Sequence, residues 1–255
     1  MPILAANASN LCHAKQQKGP PQQMVSAPHI RCRDSGPNSY RRLKLRILNS
    51  GPESLTDEEL LEYLLSTIDP RRELACLSER LVQRFGGLAD VLDTTAIQLS
   101  RIGGVGNSTV AILKIVPEVA RRMALKEIID RPVLSSCANV LAYCRITLGR
   151  KKTEQFHLLF LDTKNRLIAD EKQQQGTVNH TPVYPREVVK RALELDASSL
   201  IMVHNHPSGD PTPSKSDITI TEAVRSAAAT VDIAVHDHIV ISRTGHSSFK
   251  NLGLL

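Results

Sequence analysis

The 255-residue sequence has no tryptophan, and aromatic residues make up only 3% of it. So few flat rings offer no evident stacking platform for unpaired bases. Long apolar runs are missing too, so no stretch is read as crossing a bilayer and no membrane partner is expected. At the amino end Ile3-Leu4-Ala5-Ala6 has neither a basic leader nor a sustained apolar core, which argues against a secretory signal. A soluble, cytoplasmic protein is the expectation. Cysteine is sparse and unordered: Cys12, Cys32, Cys76, Cys137 and Cys144 form no C-x-x-C pair and are expected to be free thiols. Cys137 and Cys144, seven apart in an expected helix, share a face and are read as core packing.

Charge is present but uneven. The net charge is +6, yet residues 1–50 carry eight Lys or Arg against the single acid Asp34, while the remainder has 24 basic and 25 acidic residues. The basic character therefore belongs to the beginning of the chain, where it either attracts phosphates nonspecifically or is simply solvated.

Residues 1–39 are rich in Ala, Asn, Gln, Pro and Ser without periodicity, and are read as a disordered basic tail. From Tyr40 the pattern becomes helical. Thr56-Asp57-Glu58-Glu59 ahead of Leu60-Leu61-Glu62-Tyr63-Leu64-Leu65 predicts a capping box opening an amphipathic helix. A second helix is expected over Glu73–Phe85, stopping at Gly86-Gly87. Between Ile97 and Lys114, Gly103, Gly104 and Gly106 predict two short helices joined by a hairpin. This resembles the helix-hairpin-helix element of DNA-associated proteins, in which glycines let backbone amides and a helix start approach a phosphate. A small helical bundle whose glycines merely permit a tight turn is the plainer reading. Pro117 should kink or restart the helix that follows. The division expected is a helical domain over 40–130 and a second domain over 134–255.

The second domain alternates helix and strand. Helices are predicted over Ser135–Leu148, Pro185–Leu195 and Lys215–Ala229, with strands over Glu154–Asp162, Arg166–Asp170, Ser199–Val203 and Ile233–Ser242. The fold class is α/β, with helices packed on a mixed sheet. After the strand ending at Val203 comes His204-Asn205-His206-Pro207-Ser208-Gly209-Asp210-Pro211-Thr212-Pro213-Ser214-Lys215-Ser216-Asp217. Strand residues two apart point the same way, so His204 and His206 can grip one ion, with Asp217 as the natural third ligand. Three N/O ligands plus a water is the catalytic zinc arrangement.

Written as H-x-H-x7-S-x2-D, this loop resembles the JAMM, or MPN-plus, metalloprotease motif. From about residue 40 the chain also resembles the RadC family of bacterial proteins. Phe160-Leu161-Asp162-Thr163-Lys164-Asn165 and Asn179-His180-Thr181-Pro182-Val183-Tyr184-Pro185-Arg186-Glu187 are further words of that family. The resemblance implies a cytidine-deaminase-like α/β fold and zinc-dependent hydrolysis of a peptide or isopeptide bond in an unknown protein or peptide. It makes His204, His206 and Asp217 the Zn2+ ligands, and Ser214 a donor to the tetrahedral intermediate. Glu154, at the start of the first strand, becomes the general base, with Glu171 and Glu187 as competitors.

Plainer readings stand beside these. Ser214 with Asp217 also reads as a capped helix start, which is compatible with a metal site. His236-Asp237-His238 repeats the H-x-H spacing without a following S-x2-D and is read as a strand-facing pair rather than a second metal site. His180 is placed near a substrate groove without a catalytic role. His204-Asn205-His206 is not the dispersed triad of an HNH nuclease, and the H-x-E and P-C-x-x-C signature of zinc deaminases is absent. The competing function is a DNA-associated accessory or DNA-processing protein, in which the metal site is structural or acts on nucleic acid and DNA is bound nonspecifically through the hairpin and the basic tail.

Overall fold

A computed structural model of the chain describes residues 38–68, 74–129, 131–133, 137–175 and 183–255. The tail expected over 1–39 lies outside these residues except for its last two positions, as does His180.

Five short helices come first. They are α1 (Ser39–Ser50), α2 (Asp57–Ser66), α3 (Ala75–Phe85), α4 (Leu88–Asp93) and α5 (Ala96–Ser100). The capping box is formed as the spacing predicts: the Thr56 hydroxyl accepts the Glu59 N–H, and the Glu59 carboxylate accepts the Thr56 N–H. Gly86 ends α3 in the left-handed region at φ 98°, where a Cβ would be strained. Leu61, Leu65, Leu77, Leu81, Val91 and Leu99 close a core among these helices, sealed by Leu113 of α6 (Asn107–Ile129).

Helix α6 is a single element. It runs for 23 residues and passes through Pro117 without restarting. A proline in a helix interior costs about 3 kcal/mol by removing one backbone bond and crowding the preceding turn. Packing on both sides outweighs that cost here: Leu113 is buried in the helical core, and Ile128 is buried in the α/β core.

The α/β part contains α7 (Cys137–Leu148), β1 (Gln155–Leu161), β2 (Leu167–Gln175), α8 (Pro185–Glu194), β3 (Ser199–Asn205), α9 (Lys215–Ala229), β4 (Ala234–Ile241) and β5 (His246–Ser248). The sheet is mixed, in the order β2-β1-β3-β4-β5, and β3 and β4 are its parallel pair, connected through α9. Side-chain alternation builds a core on each face. Leu159, Leu161, Ile201, Val203, Ile239 and Ile241 meet α7 and the end of α6 on one side. Phe156, Leu158, Phe160, Leu200 and Met202 meet α8 and α9 on the other.

Two strand boundaries differ in instructive ways, and so do the cysteines. Strand β2 runs on to Gln175 because it pairs with β1 along its whole length, a partner no local pattern announces. Strand β3 extends past Val203 to Asn205, so His204 belongs to the sheet and not to the loop. Cys144 is buried in the core, but Cys137 is exposed in the first turn of α7, before the packed stretch that begins at Val140. Cys76 on α3 is disulfide-bonded, against the expectation of free thiols throughout. Among the described residues no helix is long and apolar enough to cross a membrane.

Candidate metal centre

The carboxyl end of β3 meets the amino end of α9, and the site forms between them. His206 follows β3 directly and extends its pairing, donating its N–H to Ile241 O at 2.8 Å. Residues 207–213 then return the chain to α9. Gly209 turns at φ 94°, and both the N–H and the hydroxyl of Thr212 donate to Asp210 Oδ1, at 2.9 and 2.7 Å. The Thr244 hydroxyl fixes the turn from outside by donating to Gly209 O at 2.6 Å.

Ser214 caps α9. Its Oγ accepts the Asp217 N–H at 3.2 Å, and Asp217 Oδ2 accepts the Ser214 N–H at 2.7 Å. The carboxylate of Asp217 is thereby held on the helix side while it faces both imidazoles. His204 Nε2 lies 3.4 Å from Asp217 Oδ1, His206 Nε2 lies 3.4 Å from Asp217 Oδ2, and the two Nε2 atoms are 3.0 Å apart.

This donor set fits a metal ion. Zinc–nitrogen bonds of ~2.0–2.1 Å in a tetrahedron require ligand atoms about 3.3 Å apart, close to the spacings found. Chemistry agrees with spacing. His206 Nδ1 faces Asp210 O at 2.9 Å, and because a carbonyl only accepts, the neutral ring carries its hydrogen on Nδ1 and presents a lone pair at Nε2.

Charge is tuned in the same direction. Burial alone would raise the Asp217 carboxyl, but the facing imidazoles of His204 and His206 overturn that and hold it far below the usual carboxylate range. The hydrogen bond to Asp217 raises His206 above its ordinary value, opposed by burial and helped by Asp210 O and by the charges of Asp217 and Glu154.

Glu154 sits half-buried one residue before β1, close enough for its charge to act on His206. Asn205, between the two histidines, holds this segment: its Nδ2 donates to Lys151 O and Thr153 O, each at 3.2 Å, and its Oδ1 accepts the Gln155 N–H at 2.9 Å. The other two glutamates are engaged elsewhere. Glu171 takes a two-pronged contact from Arg191 at 2.6–3.0 Å, and Glu187 on α8 accepts from Arg186 at 3.1 Å.

The pairing expected of His236 and His238 is not found. A register shift between β3 and β4 leaves His236 outside the ladder, and such a bulge breaks the two-residue alternation. His236 bonds Asn165 Oδ1 at 2.7 Å, while His238 is wholly buried with its Nε2 2.8 Å from His204 Nδ1. Burial pushes the His238 imidazole well below its ordinary value. Its other nitrogen, Nδ1, lies 2.6 Å from Thr221 Oγ1. In the sequence His238 stands out only as half of a strand-facing pair, and Thr221 does not stand out. The helical period from Asp217 points to Thr221, four residues on, but His238 is brought in only by strand register.

Beside His206 opens a cleft of about 220 Å³, lined among others by Asp90, Asp93, Arg150, Lys151 and Arg243. Charged groups from both the helical and the α/β parts thus border the candidate centre.

Comparison with known proteins matches this part of the molecule. A family model described as a RadC-like JAB domain, a domain related to the JAMM metalloproteases, matches residues 134–254. A UPF0758 protein of Rhodobacter capsulatus is 51% identical over 213 residues, covering 84% of this chain and all of the relative. The name of that relative states no activity. With the α/β part matched nearly end to end, and a relative aligned over its entire length, the chain belongs to the RadC family.

Proposed function

We propose that the protein is a zinc-dependent hydrolase that cleaves a peptide or isopeptide amide, with His204, His206 and Asp217 as the metal ligands. The observation that carries this reading is the convergence of both Nε2 atoms on the Asp217 carboxylate, Nε2 to Nε2 at 3.0 Å and each Nε2 3.4 Å from a different oxygen of Asp217. When bound, zinc would polarise the scissile carbonyl and bring a water's pKa to about 7.

The chain's own groups supply the rest. Glu154, held through Asn205, takes the attacking water's proton and returns it to the leaving nitrogen. Ser214 Oγ is exposed beside the site, accepts the Asp217 N–H and lies 2.8 Å from Ser216 Oγ; with Ser216 donating into that contact, the Ser214 hydroxyl proton is left for a developing oxyanion. The capped start of α9 and the braced loop preset Asp217, so little ordering remains to be done when substrate arrives.

Metal content measured on purified protein, together with cleavage of a proteome-derived peptide mixture, tests the proposal. The wild type should hold about one zinc per chain. Glu154→Gln should keep that zinc and lose about 10²–10⁴ in turnover. Protein without bound metal, and a His204→Ala variant indistinguishable from wild type, would overturn it.

A DNA-associated role is the second reading, favoured by the hairpin. Gly104 turns at φ 91° just ahead of α6, and a Cβ built on Gly103 or Gly106 meets nothing within 4 Å, so the backbone there is open to a phosphate.

A further inference from the structure

We infer that Thr221 and His238 are positioning residues: they form a one-way hydrogen-bond relay that fixes the tautomer of His204 and aims its Nε2 lone pair at the metal. The inference rests on the metal-site reading for its function, but its geometry is independent of any ion.

Counting hydrogens gives the direction. Thr221 Oγ1 lies 2.5 Å from Asp217 O, the backbone carbonyl one turn earlier on α9, and 2.6 Å from His238 Nδ1. The hydroxyl has one proton. The carbonyl has none to give, so at that distance the proton must lie between Oγ1 and Asp217 O. Toward His238 the oxygen then offers only a lone pair, and His238 Nδ1 must carry the hydrogen that meets it.

His238 lies between Phe156 and Phe249, with ring centroids 5.5 and 4.6 Å away, and is wholly buried. A neutral imidazole has one N–H, already placed on Nδ1, so His238 Nε2 is a bare acceptor. It faces His204 Nδ1 at 2.8 Å, which must therefore be the N–H. The remaining nitrogen of His204, Nε2, is left with its lone pair. The same holds for His206 through Asp210 O. Both lone pairs then lie beside the Asp217 carboxylate with the two Nε2 atoms 3.0 Å apart, an arrangement that a cation between them satisfies.

Helix α9 thus contributes twice. Asp217 supplies a ligand directly, and its backbone carbonyl, through Thr221 and His238, sets the protonation pattern of a second ligand on β3. Partners behind a metal-bound histidine commonly hold 10–100-fold in metal affinity.

Full-length Thr221→Val, Thr221→Ser and His238→Phe proteins test the relay. Zinc affinity would be measured by chelator competition. The His204 tautomer would be read by long-range proton–nitrogen NMR on histidine-labelled, metal-free protein at mildly alkaline pH. Thr221→Val and His238→Phe are expected to bind zinc about 10–100-fold more weakly. Thr221→Ser, which keeps the hydroxyl, should recover the wild-type affinity. In the wild type, His204 should show its hydrogen on Nδ1.

Zinc binding by the wild type with unchanged affinity in Thr221→Val would overturn the relay and leave the metal site standing. A His204 hydrogen on Nε2 in the wild type would overturn it whether or not the variants fold. A wild type that binds no zinc, yet shows His204 protonated on Nδ1, would overturn the metal reading and leave the relay as a structural device.

Discussion

His206 is the proposed ligand whose protonation state is poised to matter. The hydrogen bond to Asp217 raises it above its ordinary value of 6.5, so in the metal-free protein the proton competes with zinc for the same lone pair. The sign follows from linkage. The folded pKa lies above the unfolded one, so the stability that the proton contributes is fully present below about pH 6.5 and is lost as pH rises through the raised folded value. Zinc binding has the opposite dependence: affinity should be greatest above that value and fall by about tenfold per pH unit below it, a slope of one proton. Titration of metal-free protein with zinc across this range reads the slope directly. Asp217, already held far below the carboxylate range, should add no second proton until strongly acidic pH. A flat profile would remove His206 from the ligand set. In the Asp217→Asn protein, where the partner that raises His206 is neutral, the loss of affinity should begin at lower pH.

At the scale of elements, the hairpin before α6 separates the two readings of function. Gly104 needs its glycine because φ is 91°, so substitution there confounds strain with binding. Gly106 is the cleaner probe: its φ is not in the left-handed region, and an added Cβ meets nothing within 4 Å. Gly106→Ala should leave the thermal midpoint within about 2 °C of wild type, as expected for a change within ±0.5 kcal/mol. If the hairpin holds a phosphate, the same methyl group should weaken double-stranded DNA binding several-fold and flatten its salt dependence by about one ion. Unchanged affinity and slope would remove the hairpin from DNA contact. Elements of this kind were legible where a local signal exists: the Thr56 cap, the Gly86 stop and the Lys215–Ala229 helix all stand where spacing put them. What escaped was decided between elements. Helix α6 runs through Pro117 because two cores hold it, and β2 gains length from β1. His204, His206 and Asp217 are within 14 residues of one another and could be read together. His238 reaches the site only through the pairing of β3 with β4, and Asn205 acts on residues 50 or more positions earlier.

For the molecule as a whole, one carboxylate ties the helical part to the α/β part at the edge of the candidate centre. Asp90 on α4 accepts from Arg150 at 2.8 Å through Oδ1 and from Arg243 at 2.7 Å through Oδ2. Arg150 follows α7 and Arg243 follows β4, so the two cations come from separate elements of the α/β part and meet on a single side chain. The carboxylate is the most shielded member of the group, at 19% exposure against 38% and 60% for the two guanidinium groups. Exposed pairs are each worth about 0.2–1 kcal/mol and are screened by salt, so the latch should hold the two parts together by about 1 kcal/mol at low ionic strength. Asp90→Asn keeps the shape of the side chain and removes its charge. It should lower stability to urea by about that amount at low salt and converge on wild type near 1 M salt, where the screening length is about 3 Å. Because Asp90, Arg150 and Arg243 line the same cleft as His206, loosening the latch should also change access to the metal. Zinc removal by a bulky chelator is therefore expected to quicken in Asp90→Asn at low salt, while equilibrium zinc affinity stays as in wild type, since no ligand or ligand partner is altered. Equal removal rates in the two proteins would mean that the helical part does not gate the cleft, even if the loss of stability is observed.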